Sequence, residues 1–181
     1  MKHYSETTLK NGKKCIVRNG EKKDGAAVFE IFNRTHEQTD YLLSYPDENS
    51  FDAEQEGAFL QELSDGDTGV ELIAVVDGEV VGSAGFDAVG KKYKVKHRAE
   101  FGISVDRSYW GLGIGSALTE TCIKMAKEAG YTQLELDVVA DNDKAIALYK
   151  KYGFVEYGRN PRGFNSKLSG YQELVYMRKE L

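Results

Sequence analysis

The stretch Gly111-Leu112-Gly113-Ile114-Gly115-Ser116 sets three alternate glycines between an apolar strand pattern and a helical one. That arrangement builds an anion site. The first N–H groups of a helix have no partner inside it, and the helix dipole favours negative charge there. Glycine at such a turn lets phosphate oxygens approach the backbone closely. Three readings compete. A P-loop needs G-x-x-x-x-G-K-[ST], and no lysine follows Gly115. A dinucleotide fingerprint would put Ser116 at the third small position and use Glu135 or Asp137 as the ribose carboxylate, but only one further strand–helix unit follows, where doubly wound domains need several. The third reading is a strand-to-helix turn with no ligand. Other chemistries find little support. His3, His36 and His97 are scattered without metal-ligand spacing. No G-x-S-x-G elbow exists, and Cys122 lies on an apolar helical stripe as a core residue would.

The elements that must position the loop can be read from periodicity. Lys13–Arg18 is a short strand after the Asn11-Gly12 turn, and Asp24 caps a helix through Ala27, Val28, Ile31, Phe32 and Thr35. Tyr41–Asn49 is loop, and Ala53–Leu63 is a second helix. Val70–Val76 and Glu79–Asp87 flank Asp77-Gly78, a hairpin signal. In the strand Ala99–Val105, Phe101, Ile103 and Val105 share one face, and Glu100, Gly102 and Ser104 the other. The mid-strand Gly102 suggests a bulge. A helix with Ile114, Ala117, Leu118, Cys122, Met125 and Ala126 on one side stops at Gly130. Gln133–Val139 is a strand, Lys144–Lys151 a short helix, and Phe154–Gly158 and Tyr171–Lys179 two closing strands joined by a Gly/Asn/Ser-rich loop. The expectation is a single α/β (α+β) domain over residues 1–181, a mixed, mostly antiparallel sheet of about seven strands flanked by about four helices.

Composition bounds the function. The 181 residues fit one domain at roughly 150 residues per domain. Lys+Arg 24 against Asp+Glu 29 gives a net charge of −5, so an acidic chain without a basic block argues against a nucleic-acid partner. No run approaches the roughly 18 apolar residues of a membrane span. Two cysteines without a CxxC pattern, and no apolar signal core, point to a reduced, cytoplasmic protein.

Val105–Leu118 resembles motif A of the GNAT superfamily of acyl-CoA-dependent N-acetyltransferases, whose pattern there is R/Q-x-x-G-x-G/A. The two glycine positions fall on Gly113 and Gly115, and the R/Q position falls on Trp110, a departure that removes a polar contact near the pyrophosphate. Asn142–Phe154 is similar to motif B, N-x-x-A-x-x-L-Y-x-x-x-G-F, at all six signature positions. The resemblance covers about Val70–Val175 and implies the acyl-CoA N-acyltransferase fold, acetyl-CoA as donor, no metal, and an amine acceptor. On this reading the diphosphate sits on the N–H groups of Gly111, Leu112, Gly113, Ile114, Gly115 and Ser116, beside Trp110. The pantetheine arm pairs with the backbone of Ile103, Ser104 and Val105 like an added strand. That requires this strand to splay from its parallel neighbour at Leu134–Val138, which a bulge at Gly102 would cause.

The resemblance also assigns roles to side chains. Tyr149 lies near the CoA sulfur, where its phenol can protonate the departing thiolate. Glu100 is the general base for the ammonium, with Asp137 on the neighbouring strand or a water as the alternatives. Asn142 bonds a pantetheine carbonyl, beside its plain reading as a helix N-cap. Tyr41, Tyr45 and Asp47 lie where the family places acceptor-binding groups. The acceptor itself stays open among polyamine, amino acid, aminoglycoside and peptide N-terminus, as does a homodimer. A second class of function, a non-catalytic acyl-CoA-binding module on the same fold, also stays open.

Overall fold

The computed structural model describes residues 1–181. Eight strands form one sheet: β1 (Tyr4–Thr8), β2 (Lys14–Asn19), β3 (Val70–Val76), β4 (Glu79–Ala88), β5 (Arg98–Val105), β6 (Gln133–Val139), β7 (Val155–Ser166) and β8 (Gly170–Glu180). Four helices flank it: α1 (Gly25–Gln38), α2 (Ala53–Asp65), α3 (Ile114–Glu128) and α4 (Asp143–Lys151). The spatial order is β1-β2-β3-β4-β5-β6-β8-β7. Only β5 and β6 run parallel, with α3 as their crossover. No helix is long and apolar enough to cross a membrane.

Alternation sorts the side chains onto two faces. One carries the main core, where Leu72, Ala74, Phe101, Leu134, Leu136 and Phe154 pack under Leu118 and Cys122 of α3. On the other, Val28 of α1 and Leu60 of α2 close over Ile73. The hairpin at Asp77-Gly78 has positive φ at both residues, 51° and 86°, as a type I′ turn requires. Asp52 caps α2, its carboxylate accepting from the Glu54 and Gln55 amides at 2.9 and 2.8 Å. Glu71 of β3 is partly buried on the α2 side and lies across Gly85 of β4, where an added Cβ would collide with its carboxylate. Burial pushes the Glu71 carboxyl up to about 7; the Glu56 charge on α2 adds to this and the Ser83 hydroxyl pulls the other way.

Four expectations are corrected. The sheet has eight strands, because Tyr4–Thr8 pairs with β2 from Tyr4↔Arg18 to Thr8↔Lys14. That edge strand is almost wholly solvent-facing and so carries no apolar alternation. Strand β7 runs on to Ser166, through register shifts between Asn160 and Phe164 that absorb Pro161. Asp24 holds the N-cap position of α1 as expected but makes no side-chain cap: its carboxylate takes Arg18 at 2.7 and 2.8 Å and the Glu21 amide at 3.0 Å. Finally, Gly102 makes no bulge, since β4 and β5 stay in continuous register from Gly82↔Val105 to Ala88↔Ala99.

Candidate active site

The parallel pair β5–β6 is short. Its register holds only for Arg98↔Gln133, Ala99↔Leu134 and Glu100↔Glu135. Past Glu100, β5 continues against β4 and β6 continues against β8. The two strands thus part at their C-terminal halves, leaving a gap bordered by Phe101–Val105 on one side and Leu136–Val139 on the other. Because β5 pairs only with β4 there, alternate backbone groups of Ile103, Ser104 and Val105 point into the gap. An ion pair closes its base: Arg98 donates through Nε and Nη2 to Glu135, a contact that holds the Glu135 carboxyl below its usual range.

The glycine loop follows at once. Gly111 and Gly113 have φ of 76° and 109°, a left-handed backbone that favours glycine, and nothing lies within 4 Å of where either Cβ would stand. The space over both residues is open, and Gly113 leads directly into the unpaired amides of the first turn of α3. Gly115 differs: a Cβ there would meet Leu148 of α4 at 3.3 Å, so its smallness lets α4 cross the start of α3. Trp110 is pinned by its indole N–H, which donates to the Val105 carbonyl at 2.6 Å. The Arg107 guanidinium and Lys144 ammonium lie 5.7 and 5.4 Å from the indole ring centre.

Tyr149 and Asn142 reach this region from α4. Tyr149 is 7% exposed and packs edge-on against Phe101 and Phe154, at 6.2 and 5.9 Å between ring centres. Phe101 is the first residue beyond the last β5–β6 pair, so the phenol ring stands where the strands part. Burial pushes its hydroxyl well above the ordinary phenol range, keeping it protonated. Asn142 caps α4, its side-chain oxygen accepting from the Ala145 amide at 3.3 Å.

On the opposite face of the sheet, Glu100 and Asp137 are both exposed. Their strands are neighbours, and Asp137 lies two residues past Glu135, the partner of Glu100. Desolvation raises the Asp137 carboxyl, and the charges of Glu100 and Glu135 push it the same way.

A cavity of about 560 Å³ opens at the C-terminal ends of β5 and β6, where parallel strands present ligands. Its wall includes Gln38, Asp40, Tyr41, Arg107, Asp141 and Glu173. Of the expected acceptor contacts, Tyr41 lines it; Tyr45 and Asp47 do not. Tyr45 instead donates to Ser166 at 3.3 Å and accepts from the Lys167 amide at 2.8 Å, and Asp47 lies 3.6 Å from the Lys167 ammonium. Two wall residues escaped sequence reasoning. Asp40 accepts from Ser166 and Ser169 at 2.7 Å, fastening the loop after α1 to the β7–β8 hairpin. Gln38 receives the Arg107 amide at 2.8 Å and donates to Asp106, itself buried and paired with Arg34 at 3.2 Å. No local signal marks either, since their partners lie far along the chain.

The sequence profile of the acetyltransferase (GNAT) family matches residues 26–154. The L-amino acid N-acetyltransferase AaaT of Escherichia coli is 29% identical over 164 residues, covering 90% of this chain and 95% of its own. The N-alpha-acetyltransferase of Sulfurisphaera tokodaii is 33% identical over 155 residues, covering 81% and 84%. A Salmonella typhimurium acetyltransferase solved with its cofactor acetyl-CoA superposes with a TM-score of 0.80 over 92% of this chain and 94% of its own; at 22% identity that is a likeness of fold.

Proposed function

The chain belongs to the acetyltransferase (GNAT) family, and from that premise we propose that it acetylates the α-amine of an amino acid or peptide by direct attack within a ternary complex. It is an acetyl-CoA-dependent N-acetyltransferase; the acceptor and the roles below are the proposed part. The observation that carries the reading is the early parting of β5 and β6 beside an open glycine loop. A gap with free strand amides on one wall suits an extended, amide-rich arm, and the open backbone over Gly111 and Gly113 suits a diphosphate. Acetyl-CoA supplies the acetyl group as a thioester.

The chain's own groups then divide the work. The N–H groups of β5 that face the gap polarise the acyl carbonyl. Glu100 takes the proton from the acceptor ammonium, directly or through water, since only the neutral amine attacks. Asp137, raised by partial loss of hydration and by the charges of Glu100 and Glu135, is the second group able to hold that proton. Tyr149, kept neutral in its aromatic enclosure, gives a proton to the departing thiolate. Asn142 turns its remaining amide hydrogens toward the pantetheine arm. Tyr41 and the cavity at the strand ends receive the acceptor, whose class follows the named activities of AaaT and of the S. tokodaii enzyme.

A thiol-release assay with acetyl-CoA tests this directly. Free L-amino acids, short peptides, diamines and aminoglycosides serve as acceptors. Turnover is expected with an α-amine. Thiol release with diamines or aminoglycosides alone would overturn the α-amine assignment, and no release with any amine would overturn the catalytic reading.

A further inference from the structure

The turn 9–13 joins β1 to β2 and lies outside residues 26–154, the part matched by the family profile. Its backbone is bonded inward. The Leu9 amide donates to the Lys13 carbonyl at 2.8 Å, the Gly12 amide to the Leu9 carbonyl at 2.9 Å, and the Lys13 amide to Asn11 Oδ1 at 3.1 Å. Leu9 is buried in the main core, and the Lys13 ammonium pairs with Asp77 of the β3–β4 turn at 2.6 Å. The Lys10 amide is turned outward instead, and it donates to the Leu112 carbonyl at 3.1 Å. That bond falls in the middle of the glycine loop. Leu112 stands between Gly111 and Gly113, with its side chain packed on the main core. Every peptide bond in the chain is trans, so in the planar unit joining Leu112 to Gly113 the C=O and N–H lie on opposite edges. Holding the carbonyl toward the turn therefore aims the Gly113 N–H away from it. That N–H has no hydrogen-bond partner in the protein, and the space over Gly113 is open. Glycine lets such a unit rotate at little steric cost, so its direction needs an outside hold.

We propose that Lys10 is a positioning residue for the donor site and acts through its backbone. Its N–H fixes the peptide between Leu112 and Gly113, so that the Gly113 N–H is already presented to the diphosphate when acetyl-CoA arrives. The same bond polarises the shared peptide unit and makes its N–H a stronger donor. The Lys10 side chain is exposed and takes no part. The β1–β2 turn thus serves as a backbone tether for a loop far along the chain. The inference rests on the reading that the diphosphate lies over Gly111 and Gly113.

Two substitutions separate backbone from side chain: Lys10→Ala keeps the N–H, and Lys10→Pro removes it. The full-length proteins are titrated calorimetrically with CoA and, in competition with it, with pantetheine, which has the arm but no phosphate. Loss of one oriented hydrogen bond to a charged group is expected to weaken binding about tenfold. Lys10→Pro should lose that factor for CoA and stay within about twofold for pantetheine, while Lys10→Ala should match the parent with both. Lys10→Pro binding CoA within about twofold of the parent would overturn the tether. Equal loss of both ligands would reduce it to a general distortion, and an equal loss of CoA in Lys10→Ala would move the effect to the side chain; either result overturns the proposal. If Lys10→Pro does not fold, the parent itself decides by its amide resonances. Saturating CoA should shift those of both Lys10 and Gly113, and pantetheine should shift neither; a shift at Gly113 alone would overturn the tether. A parent that binds pantetheine as tightly as CoA would move the diphosphate off the loop, a failure distinct from that of the tether.

Discussion

Replacing Glu71 by Gln should stabilise the protein in alkaline solution and do progressively less as the pH falls. The carboxyl lies across Gly85 beneath α2, and burial raises it from 4.5 to about 7. Below 4.5 the folded and unfolded chains both hold the proton, and the stabilising difference is complete. As the pH rises from there, the unfolded chain gives the proton up while the folded protein keeps it, so stability drains away until the pH passes about 7. At 1.36 kcal/mol per unit, the whole difference is at most about 3.5 kcal/mol, and about 2.5 kcal/mol of it falls between pH 5 and pH 8.5. Gln keeps the shape and does not titrate. Urea unfolding of parent and Glu71→Gln across that range should therefore give a stability gap that widens with pH in favour of the variant, with unchanged slopes. In thermal melts the gap at pH 8.5 should be of order 5–10 °C for a chain of this size. A gap that stays flat with pH would show that Glu71 ionises as an ordinary carboxylate. A gap that narrows would reverse the sign of the argument.

Three further outcomes are expected. Tyr149→Phe keeps the ring against Phe101 and Phe154 and removes the proton, so kcat should fall by roughly 10²–10⁴ with the Kd for CoA nearly unchanged; turnover within about threefold of the parent would make the tyrosine structural. Gly113→Val forces a β-branched residue to a φ of 109° and fills the space over the loop, so CoA should no longer raise the melting temperature while the chain still folds; undiminished protection would place the phosphates elsewhere. Asp40→Ala unfastens the loop after α1 from Ser166 and Ser169, and should raise the KM for the acceptor about tenfold while leaving the Kd for CoA alone; an unchanged KM would detach that junction from the acceptor cavity.

What could be read from the chain depended on whether the relevant physics was local. The Asp77-Gly78 turn and the glycine loop demand particular backbone conformations, and the amphipathic stripe of α3 demands one buried face, so residue type alone revealed them. Strand β1 is an exposed edge held by hydrogen bonds to β2, which leave no mark in side-chain pattern. Asp24 stands at the N-cap position of α1 as its type suggests, yet Arg18 on β2 takes its carboxylate, a partner that local sequence does not reveal. The gap between β5 and β6 lies where the resemblance implies, but no bulge at Gly102 makes it: β5 stays in register with β4, and β6 with β8, through the stretch where the two strands part. Asp40 and its hairpin partners lie more than 120 residues apart, so only the folded chain brings them together.

The early parting of β5 and β6 also sets a clock on the backbone. Amides locked between two strands trade their hydrogens with solvent only when the sheet opens. Those of Ile103, Ser104 and Val105 that face the gap have no strand across from them, and in deuterated water they should label far sooner than their neighbours turned toward β4. An acyl-CoA arm lying in the gap would slow that labelling in an every-other-residue rhythm along β5. The strand would then report occupancy of the gap by isotope uptake alone, with no turnover and no knowledge of the acceptor.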